Sequence, residues 1–185
     1  MIYFNPPEFC YIRVPKTGST TFVRAIEKWG KRNHKQGNYT LNHTRAYNAK
    51  DRLPEWDHVW TFGFIRNPWA WYVSFYNHSM RDEPKKQRSH HSFQTYLQDS
   101  LEISPLLWLG EKEDNTQILV DTVYKTEDTP KLGEKFTGVF GEEFELDIQL
   151  NAGPKVNYRD YYDDETKRLV ERRCAAEIEL GKYLF

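Results

Sequence analysis

Apolar residues concentrate in short runs along the chain, and three of these runs predict buried strands. They are residues 9–14 (FCYIRV), 59–65 (VWTFGFI) and 118–124 (ILVDTVY), and a proline follows each within six residues. Runs of this length that are rich in β-branched and aromatic side chains are typical of strands covered on both faces of a sheet.

A helical period follows the first two predicted strands. After Ser19, apolar residues recur every three to four positions and form one helical stripe, which consists of Phe22, Ala25, Ile26 and Trp29. Asn67 and Pro68 follow the second strand and match an N-cap residue with proline in the first helical turn. This pair predicts a helix that runs through WAWYVSFYNHSM.

Further helices are predicted in the second half of the chain. One covers residues 93–103, one begins at Asp128-Thr129-Pro130, and one follows Asp163 and Asp164, with a stripe of Leu169, Val170, Cys174 and Ile178. Residues 33–48 and 81–91 lack an apolar period and are predicted as loops. Because strands alternate with helices, we expect an α/β protein with a central parallel β-sheet flanked by helices, as a single domain over residues 1–185.

The composition limits the classes of function. The 185 residues carry a formal net charge of -1, so the protein as a whole does not attract nucleic acid or an anionic membrane. Any anion site must therefore come from a local group of residues. No run of about 18 apolar residues is present, and the N-terminus lacks the regions of a signal peptide. Cys10 and Cys174 lie far apart without metal-ligand spacing, which favours small buried side chains in a reducing compartment. We therefore expect a cytoplasmic protein.

The turn after the first predicted strand has the chemistry of an anion site. It reads P-K-T-G-S-T-T, and the predicted helix begins near Ser19. The N–H groups in the first turn of a helix have no intrahelical acceptors, and the helix dipole makes that end partly positive. Lys16 adds a full positive charge, Gly18 lets a phosphate approach the backbone, and the hydroxyl groups of Ser19, Thr20 and Thr21 add donors.

The order of residues in this turn differs from that of the nucleoside-triphosphate loop. That loop, G-x-x-x-x-G-K-[ST], has its lysine after the second glycine and a hydroxyl group that binds magnesium. Here Lys16 precedes Gly18, and Asp121, inside the third predicted strand, makes no convincing second magnesium anchor. An ATP-dependent small-molecule kinase and a non-catalytic nucleotide-binding module stay open as alternatives.

The segment P-K-T-G-S-T-T-F behind a strand resembles the 5′-phosphosulfate loop of sulfotransferases that use 3′-phosphoadenosine 5′-phosphosulfate (PAPS). The resemblance implies a P-loop-like nucleotide-binding fold and the transfer of a sulfuryl group to a hydroxyl acceptor without a metal. It implies that Lys16 acts in catalysis, against the oxygen that bridges phosphate and sulfate. The residues that bind the 5′ side of PAPS would be Lys16, Thr17, Gly18, Ser19, Thr20 and Thr21.

A second motif, F-G-F-I-R-N-P-W-A-W-Y-V-S-F-Y, resembles the 3′-phosphate element of the same family. That element has an arginine at a strand end and a serine eight residues later in the following helix, and Arg66 and Ser74 match it. The planar guanidinium group suits a phosphate dianion. Trp71 stands where the family often has a second basic residue, so we expect this chain to differ there in packing.

The resemblance extends over nearly the whole chain and is weakest over residues 80–117. VDTVYKTEDT and the ending, from KVNYRDYY to GKYLF, are similar to the closing part of small members in the carbohydrate branch. This likeness implies a saccharide as the acceptor, while lipid, peptide tyrosine and small alcohol acceptors stay open. Lys155 lies in a loop that often closes over the nucleotide, which implies a phosphate contact.

Transfer to a hydroxyl group also needs a proton acceptor, and a histidine suits this role near neutral pH. The chain has six histidines, and none forms a recognisable zinc set with the others or with a cysteine. His43 lies between the two phosphate motifs, where members of the family often place a base, and is predicted as the general base. His78 and Glu127 are the alternatives. His58 is expected at the end of the sheet away from the ligand.

Overall fold

The computed structural model describes residues 1–4, 9–32, 37–39, 43–82, 92–100, 103–112, 114, 116–141, 144, 146 and 156–185. The chain divides into two compact units. The first comprises Met1–Ile65 and Leu106–Gly153, and the second comprises Arg66–Pro105 and Pro154–Phe185. The single domain expected from the sequence stays a prediction. Among the described residues, no helix combines the length and the apolar composition that crossing a bilayer requires.

The first unit is built on a five-stranded mixed sheet. Its strands are β1 (Ile2–Phe4), β2 (Phe9–Ile12), β3 (Gly37–Tyr39), β4 (Trp60–Ile65) and β5 (Thr122–Lys125). In space the order is β3-β1-β2-β4-β5, with β2, β4 and β5 parallel and β1 antiparallel to β2 and β3. The α/β class is therefore confirmed. The expected parallel sheet consists of β2, β4 and β5, and two short antiparallel strands extend it at one edge.

The strand predictions differ from the structure at the edges of the sheet. Residues 9–14 and 59–65 are confirmed as strands to within two residues by β2 and β4. The third prediction begins too early, because Ile118 forms an isolated bridge with Gly110 and β5 starts only at Thr122. The sequence pattern does not predict β1 and β3, because three residues are too few to show a period of two.

Seven α-helices occur in the described part of the chain. They are α1 (Ser19–Arg32), α2 (Ala46–Lys50), α3 (Pro68–Asp82), α4 (Phe93–Asp99), α5 (Gly133–Phe140), α6 (Asp164–Arg173) and α7 (Ala175–Gly181). The helix expected from Asp128 is a 3₁₀ helix, Thr126–Lys131, with α5 after it. The predicted C-terminal helix is divided at Cys174 into α6 and α7. The predicted loop at residues 33–48 contains β3 and the start of α2.

Helix α1 covers one face of the sheet. Its predicted apolar stripe is confirmed, because all four members are buried: Phe22, Ala25, Ile26 and Trp29. The ring of Tyr11 in β2 is centred 4.8 Å from that of Phe22 and 5.2 Å from that of Phe62 in β4. Burial of one such aromatic side chain is worth about 1.5–3 kcal/mol. The aromatic cluster therefore holds α1, and with it the turn in front of α1, against the end of β2.

The opposite face of β4 has no room for a side chain at Gly63. A Cβ atom there would overlap the buried side chain of Leu109 and would lie 3.3 Å from the carbonyl oxygen of Ile12. We therefore expect Gly63→Ala to lower the free energy of unfolding by about 1–3 kcal/mol, the usual cost of overpacking a core. Urea unfolding measures this change.

Gly138→Ala is the matched control for Gly63→Ala. Gly138 lies in α5, where an added Cβ atom meets no described atom within 4 Å. Alanine favours a helix over glycine by about 1 kcal/mol, so this variant should be as stable as the parent or more stable. A Gly63→Ala protein with unchanged stability would contradict the close packing at β4.

In the second unit, α3 and α6 begin where the sequence predicts. Asn67 Oδ1 accepts a hydrogen bond from the N–H of Ala70 at 3.1 Å, and Pro68 occupies the first helical position. In α6, Asp163 Oδ1 accepts from the N–H of Thr166 at 2.8 Å, and the Thr166 hydroxyl lies 3.1 Å from the N–H of Asp163. This reciprocal pair is a capping box. Both predicted helix starts are confirmed.

Candidate functional site

The turn between β2 and α1 has a distinctive backbone. Lys16 has a φ of 61° and Gly18 a φ of 72°, so the residues on both sides of Thr17 are left-handed. Glycine adopts this conformation readily, whereas it costs a residue with a Cβ atom about 1–2 kcal/mol. Left-handed residues in a turn are typical of nests, in which backbone N–H groups converge on an anion. The turn thus combines nest-like geometry with the charge of Lys16.

Two threonine side chains hold this turn. Thr17 is 3% exposed, and its hydroxyl group donates to the carbonyl oxygen of Val14 at 2.9 Å. The Oγ1 atom of Thr126, the residue after β5, lies 3.1 Å from the carbonyl oxygen of Thr17 and 3.0 Å from that of Ile65. Thr17 therefore uses its hydroxyl proton within the turn. Thr126 joins the turn to the last residue of β4.

Two backbone N–H groups at the start of α1 come before the first residue that donates a hydrogen bond within the helix. The N–H groups of Thr21 and Phe22 donate to the carbonyl oxygen of Gly18 at 3.0 and 3.4 Å. Those of Ser19 and Thr20 precede these bonds and are the donors that a helix start offers to an anion. The side chain of Thr20 is exposed, whereas those of Ser19 and Thr21 are buried.

The two predicted phosphate motifs follow neighbouring parallel strands. β2 pairs with β4 in parallel, with Ile12 opposite Gly63. The segments that follow parallel neighbours leave a sheet at the same edge, which is where open α/β sheets bind ligands. The Lys16 turn follows β2, and Arg66 is the residue directly after Ile65, the last of β4.

In the second unit, Arg66 and Ser74 flank the first two turns of α3. Both residues are half-buried. Ser74 lies about 10 Å along the helix axis from the N-cap Asn67, at ~1.5 Å of rise per residue. Trp71 is 0% exposed, with its ring centred 4.6 Å from that of Phe75. Trp71 therefore belongs to the core of this unit, and the expected difference in packing from other family members stays a prediction.

His43 lies beside the end of β2. Its Nδ1 atom is 2.9 Å from the carbonyl oxygen of Arg13. A carbonyl oxygen can only accept, so Nδ1 carries the proton and Nε2 carries the lone pair. Although part of the side chain is exposed, partial withdrawal from water lowers the pKa of His43 below 6.5. The hydrogen bond with Arg13 opposes this shift, and the charges of Arg13 and Lys16 support it.

The other predicted bases are placed less favourably. His78 Nδ1 accepts from the guanidinium group of Arg81 at 2.8 Å, so this lone pair is already used. Glu127 is exposed on the 3₁₀ helix after β5. His58 ends a 3₁₀ helix two residues before β4, which confirms its expected place at the amino end of the strand. Lys155 lies outside the described residues.

Asp121 is not part of the third strand, so the sequence prediction for it is wrong. It precedes β5, and its Oδ2 atom accepts from the N–H and the hydroxyl group of Thr61 at 2.7 and 2.8 Å. Thr61 is the second residue of β4. The carboxylate of Asp121 therefore lies at the amino ends of the parallel strands, across the sheet from the Lys16 turn. A magnesium anchor would have to lie beside that turn.

Comparison with protein families adds the deciding observation. The model described as "Sulfotransferase family" matches residues 1–122, about two thirds of the chain. The chain belongs to the sulfotransferase family. The activity of this sulfotransferase is therefore the transfer of a sulfuryl group to a hydroxyl-bearing acceptor. Comparisons with curated proteins and with solved structures gave no match.

The matched part of the sulfotransferase contains both phosphate motifs and His43. It includes residues 80–117, where the resemblance seen in the sequence is weakest. The similarity of the closing segment lies beyond residue 122 and stays a prediction. Sequence reasoning missed two supports of the site, the side chain of Thr126 and the carbonyl group of Arg13. A threonine after a strand is common, and every residue has a carbonyl group, so neither carries a signal in the sequence.

Proposed function

We propose that this sulfotransferase takes its sulfuryl group from PAPS. The 5′-phosphosulfate binds to Lys16, to the backbone of Thr17 and Gly18, and to the backbone and hydroxyl groups of Ser19, Thr20 and Thr21. Arg66 and Ser74 bind the 3′-phosphate, and Lys155 adds a phosphate contact. The observation that carries this proposal is the order of the strands: the Lys16 turn and Arg66 follow adjacent parallel strands, β2 and β4.

The donor set of the turn suits a short anhydride. Residues 13–21 (RVPKTGSTT) contain cations, hydroxyl groups and helix-start N–H groups but no acidic residue. Such a set stabilises negative charge without a metal ion between protein and ligand. The position of Asp121 at the far ends of the strands supports PAPS over a magnesium-bound triphosphate. Family membership supports sulfuryl transfer over the kinase and over a non-catalytic module.

The proposed reaction is an in-line displacement at sulfur. A bond forms between the acceptor oxygen and sulfur while the bond from sulfur to the phosphate oxygen breaks. Lys16 stabilises the negative charge that grows on that phosphate oxygen. Nε2 of His43 takes the proton of the acceptor hydroxyl, while the hydrogen bond to the carbonyl group of Arg13 keeps the ring in the required tautomer. The lowered pKa keeps His43 neutral, and able to accept a proton, at pH 7.

A saccharide hydroxyl is the proposed acceptor. The support for it is the resemblance to the carbohydrate branch. Incubation with labelled PAPS and a panel of oligosaccharides, phenols, peptides and small alcohols tests this point. Label transferred to a peptide or an alcohol but to no oligosaccharide would contradict it. The cytoplasmic location stays a prediction.

Titration calorimetry tests the donor. We expect 3′,5′-adenosine bisphosphate, the product of transfer from PAPS, to bind without magnesium and much more tightly than ATP. The reason is that ATP lacks the 3′-phosphate that Arg66 and Ser74 would recognise. Equal affinity for ATP and the bisphosphate would contradict PAPS as the donor.

The variant Arg66→Ala tests the 3′-phosphate contact. We expect it to weaken bisphosphate binding by about 1.5–3 kcal/mol, the range for hydrogen bonds to charged groups. Its affinity for 5′-AMP, which lacks the 3′-phosphate, should stay the same. Arg172→Ala is the control, because Arg172 is exposed in the last turn of α6. Unchanged bisphosphate affinity in Arg66→Ala would remove Arg66 from the site.

A further inference from the structure

We propose that Thr126 is a positioning residue that fixes the orientation of the Thr17–Gly18 peptide in the nucleotide-binding turn. The Oγ1 atom of Thr126 lies 3.1 Å from the carbonyl oxygen of Thr17. This inference rests on the proposed function, because it concerns the turn that would hold the 5′-phosphosulfate. Thr126 acts through the backbone and touches neither the donor nor the acceptor.

The backbone of Thr126 is well anchored. The preceding residue, Lys125, pairs with Ile65 in the parallel ladder of β4 and β5. The hydroxyl group of Thr129 donates to the carbonyl oxygen of Thr126 at 2.6 Å, which closes the first turn of the 3₁₀ helix. The backbone of Thr126 is therefore held at the end of the sheet. The register of β4 and β5 sets the distance between its side chain and the turn.

The contact with Thr17 determines where the next N–H group points. In a trans peptide the C=O and N–H bonds point in opposite directions. Because the carbonyl group of Thr17 points to Thr126, the N–H of Gly18 points away from it. Gly18 itself resists a flip of this peptide poorly, since glycine adopts positive and negative φ values with similar ease. A hydrogen bond from Thr126 supplies the preference that the glycine lacks.

A flipped peptide would harm anion binding in two ways. The N–H of Gly18 would leave the set of donors, and the carbonyl oxygen of Thr17 would bring a partial negative charge toward the phosphate. The methyl carbon of Thr126 would lie 3.7 Å from a Cβ atom added to Gly18, an ordinary contact distance, so the side chain of Thr126 lies directly beside this glycine. The Oγ1 atom of Thr126 also lies 3.0 Å from the carbonyl oxygen of Ile65, so its one proton is shared between the turn and the last residue of β4.

Two variants separate the hydroxyl group from the rest of the side chain. Thr126→Val keeps the shape and removes the donor, whereas Thr126→Ser keeps the donor and removes the methyl group. The probes are 3′,5′-adenosine bisphosphate and adenosine 3′-monophosphate, which lacks the 5′-phosphate. We expect Thr126→Val to weaken bisphosphate binding about 3- to 10-fold, the effect of one net hydrogen bond. Its affinity for the 3′-monophosphate should stay within about twofold, and Thr126→Ser should bind both probes as the parent does.

Three outcomes would overturn the inference. They are unchanged bisphosphate affinity in folded Thr126→Val, an equal loss for both probes, and a failure of Thr126→Ser to restore binding. If Thr126→Val does not fold, Thr126→Ala takes its place in the same comparison. If the parent protein binds no bisphosphate, the proposed function fails instead. A crystal structure of Thr126→Val then decides the inference: a flipped Thr17–Gly18 peptide supports it, and the parent orientation overturns it.

Discussion

Lys16→Met should lower kcat with PAPS by about 10²- to 10³-fold, the usual loss when one preorganised group that stabilises developing charge is removed. Methionine has a similar length and keeps a Cβ atom, so the left-handed backbone at φ 61° is equally strained and the change isolates the charge. Steady-state kinetics with labelled PAPS measure the loss. Lys31→Met is the control, because Lys31 is exposed at the end of α1, and it should turn over like the parent.

Lys16→Gly separates function from stability at the same position. Glycine relieves the left-handed strain, so the free energy of unfolding should rise by up to about 1 kcal/mol, while kcat should fall as in Lys16→Met. A more stable and less active protein would mean that the lysine is kept for its chemistry in spite of its backbone cost. Parent-like turnover in either variant would exclude Lys16 from charge stabilisation.

His43→Ala should lower kcat by about 10²-fold or more and leave bisphosphate affinity nearly unchanged, as expected for a lost general base. The pH profile gives a second readout. Transfer requires the neutral imidazole, and the pKa of His43 lies below 6.5 because of partial burial and the nearby charges of Arg13 and Lys16. The kcat/KM of the parent should therefore fall on the acid side of its pH profile, at a lower pH than an unperturbed histidine would give. This acid limb should be absent in His43→Ala.

Two further histidine variants control for the loss. His58→Ala removes an exposed histidine at the amino end of β4, so it should behave as the parent does. His78→Ala removes the alternative base in α3. The role of general base would pass to His78 only if kcat fell in His78→Ala while His43→Ala turned over like the parent. An acid limb that persists in His43→Ala would equally contradict the assignment.

Local patterns in the sequence predict the parts of the fold that depend on local interactions. The stripe of α1 is visible because a buried helical face repeats every 3.6 residues, and Asn67 marks the start of α3 because a capping side chain bonds to a backbone group three residues away. The same reasoning fails for β1 and β3, whose three residues per strand show no period. It also fails at β5, because apolar residues before the strand extend the run to Ile118.

The sequence by itself determined the order of the main strands and helices, the cationic turn with Lys16 and the sulfotransferase family, since these depend on residue type and spacing along the chain. The tertiary structure alone decided that β2 and β4 lie next to each other in the sheet and that Asp121 lies at their amino ends. It also brought the carbonyl group of Arg13 to Nδ1 of His43 and the hydroxyl group of Thr126 to the carbonyl group of Thr17. Backbone groups are the same in every residue, and contacts across tens to more than a hundred residues leave no periodic trace, so these features appear only when the chain is folded.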